Sequence, residues 1–481
     1  MRRIILYLLF FTIFLYINIF SNVEKKTIYL TTLLSYNRDQ ILTYFAEDYT
    51  YLTSINFIDG KYVRVWYREK DIDTNNVILL RNNLDNVFDS YIKLGFNLPP
   101  SDSLLSMLLG VVYDYGGDSK IDIYIMPLKS KGFLAITYPD NDLVVFNSYN
   151  TPVSSAFAII DNTIFNDSLL YKITLYHEMF HVIQQGYRTF LQTDIYGPIH
   201  SIMEASSVFM EEYFYPDVND YIQYVDDYFN AKVIGPIAGY YTSSVESYYG
   251  SALWLIYLNN INILKKIWEN INMGNNTIES IKMAFLTEGE DFNNFWDDFL
   301  KNLIYLNYGK SNFTDSKELP FFNTFFTLNK GDTTTITSIG YSSNIVKSDD
   351  KTKDILISSK DSQWRELIVN IEDQTYYAFY NTSVDEVTKE GFLYYGESEY
   401  FNIYAYPNPF TMNDDSIVIE GISLKDKNFY CDIYNINGKK IDGFKIKSNK
   451  IPINIFKTSG IYFIFIYNNI YRFNLRVVFI K

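Results

Sequence analysis

The sequence predicts an α+β protein in which a mixed and then helical N-terminal part precedes a β-rich C-terminal part. Strand-like and helical apolar patterns alternate up to about residue 161. From Leu169 to about Asn307 apolar residues recur at helical spacing, and beyond residue 310 short alternating runs between turn residues dominate. The 481 residues are 48% hydrophobic, so the chain can bury a large core and should form two to four domains.

The N-terminus has the composition of an export signal. Arg2 and Arg3 precede an uncharged apolar run from Ile4 to Phe20. This pattern predicts a secretory signal peptide over residues 1–21, with cleavage near Ser21. A membrane anchor is the alternative, because the run is close to the shortest helix that can span a bilayer. After cleavage we expect a secreted or cell-surface protein with no membrane span.

Charge and cysteine content exclude several classes of protein. The formal charge is −15, and removal of residues 1–21 takes away two arginines and no acids, which leaves −17. A chain this acidic is not expected to bind nucleic acid. Cys431 is the single cysteine, so neither an intrachain disulfide nor a multi-cysteine zinc site can form.

The first part of the chain alternates strand and helix candidates. Tyr62–Arg68 alternates like a strand, and Leu80–Phe96 has a helical stripe that ends before Pro99 and Pro100. Three further strand candidates follow, and they are Lys120–Pro127, Leu143–Asn147 and Ala156–Asp161. The last of these strands leads directly into a predicted helix.

That helix contains LYHEMFHVIQQGY, residues 175–187, with two of the chain's three histidines. In a chain with so few histidines, chance would produce H-E-x-x-H in about one case in a thousand. His177 and His181 are four residues apart, so a helix would hold them about 6 Å apart on one face, as a shared metal ion requires. Two histidines packed in a core helix are the alternative explanation.

A catalytic zinc site usually has three protein ligands and one open position, so a third ligand is needed. A second helix is predicted to begin near residue 198 and to carry SIMEASSVFMEEYFYP. Glu204 and Glu211 are seven residues apart on it and therefore share a face. The candidate ligands on or next to this helix are Asp194, His200, Glu204, Glu211 and Glu212.

HEMFHVIQ, EASSVFMEEYFYPDVND and YYGSALWLIYL together resemble the gluzincins, the thermolysin and aminopeptidase type of zinc peptidase. The resemblance is strongest to secreted bacterial metalloproteases and covers roughly residues 60–307. It implies a zincin-like domain over residues 22–310, built from a small twisted sheet and active-site helices. It also implies Zn²⁺ as cofactor and a protein or peptide as substrate. By the same resemblance His177, His181 and Glu204 are the zinc ligands, and Glu178 is the general base.

Two further features of the site follow from this resemblance. Tyr248 and Tyr249, in the YYG turn, are candidate hydrogen-bond donors to the oxyanion that forms during peptide hydrolysis. The strand Ala156–Asp161 is a candidate sheet edge along which an extended peptide would lie, or else an ordinary core strand.

The chain departs from the gluzincin pattern at one position. That family places an aspartate four residues after the glutamate ligand, where it orients a histidine. This chain has Val208 there. Ser207 or Glu211 is expected to take over the orienting role.

Beyond residue 310 the pattern predicts two β-sandwich modules, over residues 320–400 and 401–481. The second contains AYPNPF, IYNINGKK and SGIYFIFIY, and Asn437-Gly438 is a strong hairpin turn. These segments resemble the C-terminal sorting domain of type IX secreted proteins, and equally the immunoglobulin-like module of flagellar hook-cap proteins. The first resemblance implies that residues 401–481 meet export machinery or a cell-surface partner.

Several functions remain open at this point. The first is a secreted zinc endopeptidase whose β-modules position it or direct its export. The second is a surface adhesion or interaction protein in which the metal motif is vestigial, and a zinc hydrolase with a non-peptide substrate is a third. The intact Glu178 and the available Glu204 favour an enzyme.

Overall fold

The chain is a mixed α+β protein, as the sequence predicts. The computed structural model describes residues 38–46, 55–110, 118–128, 131–191, 194, 197–231, 233–237, 246–328, 333–348, 354–358, 363–384, 386–396, 404–420, 429–446, 448, 450–467 and 472–481. The predicted signal peptide therefore lies outside the described residues. Two compact units divide the chain. The first comprises Met1–Thr324, Ile339–Ser343 and Thr382–Val387, and the second comprises Phe325–Ser338, Asn344–Asn381 and Thr388–Lys481.

The first unit combines one mixed sheet with a set of helices. Its described helices are α1 (Arg38–Phe45), α2 (Thr74–Lys93), α3 (Asp102–Leu109), α4 (Ser168–Tyr187), α5 (Pro198–Phe214), α6 (Ile222–Phe229), α7 (Glu246–Gly250), α8 (Leu253–Leu258), α9 (Ile261–Asn272), α10 (Thr277–Thr287) and α11 (Phe292–Leu306). Its strands are β1 (Asn56–Asp59), β2 (Val63–Tyr67), β3 (Ile121–Met126), β4 (Ala135–Pro139), β5 (Val145–Phe146), β6 (Pro152–Val153) and β7 (Ala156–Asp161). None of the helices in the described ranges has the length and apolarity that a membrane-crossing segment needs.

The main sheet has the strand order β1-β2-β3-β7-β4. Strands β2, β3 and β7 run parallel, while β1 and β4 are antiparallel to their neighbours. Strand β7 is buried at every position and lies between β3 and β4, so of the two alternatives for Ala156–Asp161 the core strand is correct and the sheet edge is not. The edge next to it is β4, which sequence patterning did not single out. The expected strand over Leu143–Asn147 is reduced to the two residues of β5.

Helix α4 is fixed to the sheet and to its helical neighbours by its apolar side. Asp167 caps it by accepting hydrogen bonds from the backbone N–H groups of Leu169 and Leu170. Phe180 is fully buried, and its ring meets those of Tyr91, Phe96 and Trp268 at centroid distances of 5.4, 5.2 and 6.4 Å. Burial of such a ring stabilises the fold by about 1.5–3 kcal/mol, and here it also fixes the rotation of the helix.

Helix α1 packs on the sheet through one buried cation. The guanidinium of Arg38 lies 4.9 Å from the centre of the Phe157 ring. It pairs with Asp140 at 2.6 Å, with Asp102 at 3.4 Å and with Asp122, and all four side chains are buried. Burial, opposed by the nearby Arg38, raises the pKa of Asp102 to about 8. One arginine is therefore the shared partner of three buried acidic side chains, from α3, from β3 and from the end of β4.

The second unit is built from strands. They are β8 (Phe326–Thr327), β9 (Thr333–Ser338), β10 (Asn344–Ser348), β11 (Asp354–Ser358), β12 (Trp364–Ile371), β13 (Gln374–Asn381), β14 (Lys389–Gly396), β15 (Tyr404–Tyr406), β16 (Phe410–Thr411), β17 (Ser416–Glu420), β18 (Tyr430–Asn435), β19 (Lys440–Lys445), β20 (Lys450–Pro452), β21 (Gly460–Tyr467) and β22 (Arg472–Ile480). Their sheets have the orders β12-β13-β10-β8, β11-β14-β9, β15-β17-β20 and β16-β22-β21-β18-β19.

The described residues of this unit form two separate hydrophobic clusters, one drawing on β9–β14 and the other on β15–β22. Strands β18 and β19 form the hairpin that the Asn437-Gly438 pair predicts. Gly438 has φ of 73°, a backbone conformation that favours glycine.

Candidate metal centre

The two motif histidines lie side by side on α4, at the cavity-facing side of the helix. Their ring centroids are 4.7 Å apart, and their Nε2 atoms are separated by 3.1 Å. Gly186 lets this helix pass close to another segment, since a Cβ there would lie 2.7 Å from the Cα of Pro99. The helical prediction for this stretch is confirmed, and with it the shared face of His177 and His181.

Glu204 reaches the two histidines from α5. Its Oε2 atom lies 3.4 Å from Nε2 of His177 and 3.3 Å from Nε2 of His181. A metal ion bound tetrahedrally at about 2.05 Å holds its ligand atoms about 3.3 Å apart, which the three observed separations match. Oε2 is buried and accepts no hydrogen bond. These three residues form a group that could hold a metal ion.

Each of the two candidate histidine ligands contacts a further polar group through its Nδ1 atom. Nδ1 of His177 lies 2.5 Å from Oε1 of Glu211. With Nε2 directed to the metal position, Nδ1 carries the proton and donates to this carboxylate. Nδ1 of His181 lies 2.8 Å from Oε1 of Gln184 and 3.2 Å from Oγ of Ser207. The two residues expected to replace the missing aspartate are therefore both present, each beside a different histidine.

Glu204 has a partner of its own in His200, the chain's third histidine. Nε2 of His200 lies 3.2 Å from Oε1 of Glu204, which leaves Oε2 directed at the histidine pair. His200 is buried, and its ring also stacks on Tyr248 with centroids 4.5 Å apart. It therefore contacts the third ligand rather than the metal position. Glu212 and Asp194 also lie outside the group that could hold a metal.

The electrostatics of the group favour a positive charge at its centre. Burial opposes the charged imidazolium, yet the carboxylates of Glu204 and Glu211 hold the pKa of His177 well above its ordinary value. The pKa of His181 is also raised, against the effect of burial, by Glu204. Burial alone would raise the pKa of Glu204, but the neighbouring His181 and His177 hold it well below the ordinary value. The raised pKa values mean that the acidic surroundings favour protonated, positively charged histidines. A bound divalent cation would supply this positive charge in place of the protons.

Glu178 lies beside the ligands and is held by a threonine of the edge strand. The hydroxyl of Thr137, on β4, lies 2.8 Å from Oε2 of Glu178 and 3.0 Å from its backbone oxygen. Glu178 and Thr137 both line the cavity into which the ligands open. Sequence reasoning found Glu178 from the motif but missed Thr137, because nothing local marks it.

The two tyrosines of the YYG turn have different positions. Tyr249 lines the cavity and stacks on His177, with centroids 5.7 Å apart and an interplanar angle of 17°. Burial raises its pKa well above the ordinary value. Tyr248 stacks on His200 and is not among the residues that line the cavity. Tyr224, which sequence reasoning missed, lies next to Tyr249 at a centroid distance of 5.1 Å.

Three groups of residues line the cavity. One comes from β4 and the residues just before it, one from α4, and one from α5 together with Asp220, Tyr224 and Tyr249. Its described lining contains four acids, Glu178, Glu204, Glu211 and Asp220, and neither lysine nor arginine. The group of His177, His181 and Glu204 therefore lies in an acidic cavity.

No protein-family model matches the chain. No curated protein matches it either. Among solved structures, it is similar to PorZ, described as an essential bacterial surface component of the type-IX secretion system of Porphyromonas gingivalis. That similarity has 18% sequence identity and a TM-score of 0.16, and covers 21% of this chain and 15% of PorZ. A match of this extent does not establish a common fold.

Proposed function

We propose that the chain is a secreted zinc metallopeptidase whose catalytic domain, residues 22–310, is zincin-like. The observation that supports this best is the set of three ligand atoms from His177, His181 and Glu204, separated by 3.1–3.4 Å, with Glu178 on the same cavity. Two imidazoles and one carboxylate at tetrahedral spacing suit Zn²⁺, whereas Mg²⁺ and Ca²⁺ prefer oxygen ligands only. Three protein ligands leave a fourth position for water.

A bound zinc ion would lower the pKa of its water and polarise the carbonyl of the scissile bond. The remaining chemistry falls to side chains of the chain itself. Glu178 accepts the proton of the attacking water and passes it to the leaving amine. Thr137 keeps the Glu178 carboxylate turned into the cavity through its 2.8 Å hydrogen bond. Tyr249, and in the sequence-based proposal Tyr248, would donate a hydrogen bond to the oxyanion.

The proposed substrate is a peptide in extended conformation. Strand β4 ends the sheet order among the described residues and lines the cavity, so its outer edge can pair with one further strand. A peptide paired there passes over Glu178 and the three ligands. Main-chain hydrogen bonds to an edge strand bind peptide backbones in general, which favours an endopeptidase over a hydrolase of small molecules.

The remaining parts of the chain fit a secreted enzyme. We propose that residues 1–21 are a signal peptide removed on export, and that residues 320–400 and 401–481 are β-sandwich modules. In this proposal the last module meets export machinery or a cell-surface partner. These assignments rest on the sequence patterns and resemblances described above.

Metal analysis of the purified chain, combined with digestion of casein and a peptide library, tests the proposal. We expect about one zinc per chain and hydrolysis that a chelator abolishes. Glu178→Gln should keep the metal and lose about 10²–10⁴-fold in activity, because an amide cannot take the proton from water. Hydrolysis that is insensitive to chelator would overturn the proposal. A metal-free, inactive chain would instead favour an adhesion protein with a vestigial site.

A further inference from the structure

One sheet of the second unit carries aromatic rings on the side that faces away from its core. In strands β18 and β21, alternate residues such as Cys431 and Ile464 are fully buried in the core. The residues between them point the other way. In paired register these outward residues are Tyr430 with Tyr467, Asp432 with Phe465, and Tyr434 with Phe463. We call the five aromatic members of this set the aromatic platform.

The platform contains two pairs of rings in contact, and four of its five rings are half-buried. Tyr430 and Tyr467 stack with centroids 5.9 Å apart and an interplanar angle of 26°. Tyr434 meets Phe465 edge to face at 5.2 Å. Tyr430 is 45% exposed. Residues two apart on a strand are separated by about 6.8 Å, so three rows of the platform extend over about 14 Å. This length suits a linear ligand with several flat units.

A polar group lies within the platform. Nζ of Lys440 lies 2.7 Å from Oδ1 of Asp432. The hydroxyls of Tyr467 and Tyr434 donate to Oδ2 of the same carboxylate over long distances of 3.4 and 3.5 Å. Hydrogen bonds this long exchange readily for bonds to a ligand that carries hydroxyl groups. The platform therefore combines ring faces with donors and acceptors.

Two cations border the platform on the same side of the sheet. Lys445 pairs with Tyr430 across β18 and β19, and Arg476 pairs with Phe463 across β21 and β22, so both project with the rings. Both are exposed. Neither forms an ion pair with any residue in the described part of the chain. From residue 404 onward the sequence has 11 Lys or Arg and 6 Asp or Glu, which gives this part a net charge of +5. The whole chain has a net charge of −15, so residues 1–403 have a net charge of −15 − 5 = −20.

We propose that this face binds a linear anionic polysaccharide. Sugar rings would stack on the aromatic platform, sugar hydroxyls would bond to Asp432 and its tyrosines, and acid groups would lie near Lys445 and Arg476. An acidic polypeptide lacks flat units to cover the rings. Single-stranded nucleic acid also has flat units, but it carries fewer hydroxyl groups to bond with Asp432 and its tyrosines, and the test below includes it as a competing ligand. The proposal does not depend on the peptidase activity.

Binding of the full-length exported chain to polygalacturonate tests this, measured by calorimetry at low and moderate salt. We expect binding to polygalacturonate, and much weaker binding to neutral dextran and to polyglutamate. The double variant Tyr430→Ala/Tyr467→Ala should bind at least about tenfold more weakly, since it removes two stacking rings. Lys445→Ala/Arg476→Ala should do the same and flatten the salt dependence.

Matched variants elsewhere separate specific from general effects. Tyr149→Ala removes a tyrosine that is 56% exposed in the first unit, and Lys457→Ala removes an exposed lysine of the second unit. Both should bind polygalacturonate as the unaltered chain does. The proposal is wrong if polygalacturonate does not bind, if polyglutamate or a single-stranded oligonucleotide binds equally well, or if both double variants retain full affinity. If the double tyrosine variant fails to fold, Lys445→Ala/Arg476→Ala still tests the proposal, because both of these side chains are exposed.

Discussion

Replacement of Glu211 by glutamine tests how the ligand set is held. Oε1 of Glu211 lies 2.5 Å from Nδ1 of His177, and both side chains are largely buried. The amide of glutamine can still accept this hydrogen bond, but it carries no charge. A hydrogen bond to a charged group is about twice as strong as a neutral one, and it makes the histidine a stronger metal ligand. Glu211→Gln should therefore weaken metal binding without removing a ligand.

The expected loss is about 10–100-fold in zinc affinity, the range for the partner of a metal-bound histidine. This corresponds to about 1.4–2.7 kcal/mol of binding free energy. Glu211 also raises the pKa of His177, so its removal reduces competition from protons and offsets part of the loss. The zinc affinity is measured by titration with Zn²⁺ against a competing chelator. A mildly alkaline pH limits the offset, because fewer protons then compete with zinc for His177.

Glu212→Gln is the matched control, since the neighbouring residue lies on the same helix and makes no contact with a histidine among the described residues. Burial raises the pKa of Glu212 to about 8, so this substitution also removes a partly buried carboxyl group. The control should keep the zinc affinity of the unaltered chain. If Glu211→Gln binds zinc within twofold of the unaltered chain while folded by circular dichroism, then Glu211 does not orient His177.

Three further predictions concern stability, each measured by urea unfolding. Arg38→Met leaves three buried carboxylates without their cation and should cost about 3–5 kcal/mol, so a loss under about 1 kcal/mol would contradict the balance described here. Because the pKa of Asp102 is about 8 in the folded chain against an ordinary 3.8, the folded chain binds a proton that the unfolded chain releases. Stability should fall as pH rises between these values, and Asp102→Asn should flatten this profile. Gly250→Ala places a Cβ 2.2 Å from the backbone oxygen of Tyr224, so we expect a loss of about 1–3 kcal/mol, and an unchanged unfolding midpoint would refute this packing.

The pairing of His177 and His181, two of the candidate metal ligands, could be predicted from the sequence because its signals are local. Asp167 caps α4, and no proline or glycine precedes Gly186 in it, so helical spacing alone brings His177 and His181 together. Glu204 required a resemblance as well as spacing, since two helices must pack before it can reach the histidines. Helix α5 begins at Pro198 as predicted.

The second layer of the site could not be predicted in the same way. Thr137 reaches Glu178 only because β4 pairs with β7 at the end of the sheet, and strand order is not encoded in a local pattern. For the same reason the sequence left open whether Ala156–Asp161 is an edge strand or a core strand. Gln184 was a signal that could have been used, because it follows His181 by three residues on the same helix. Its contact with Nδ1 of His181 fits that spacing.

The buried ion cluster has a consequence for the order of folding. Arg38 is synthesised early, and the two acids with which it makes its closest contacts follow 84 and 102 residues later in the chain. Each of these contacts closes a long loop, and non-local contacts of this kind slow folding. Until α1 docks, the three carboxylates have no cation and keep their hydration, so the sheet cannot become dry on that side. Helix docking and completion of the sheet should therefore occur as one cooperative event, after the ribosome has passed Asp140.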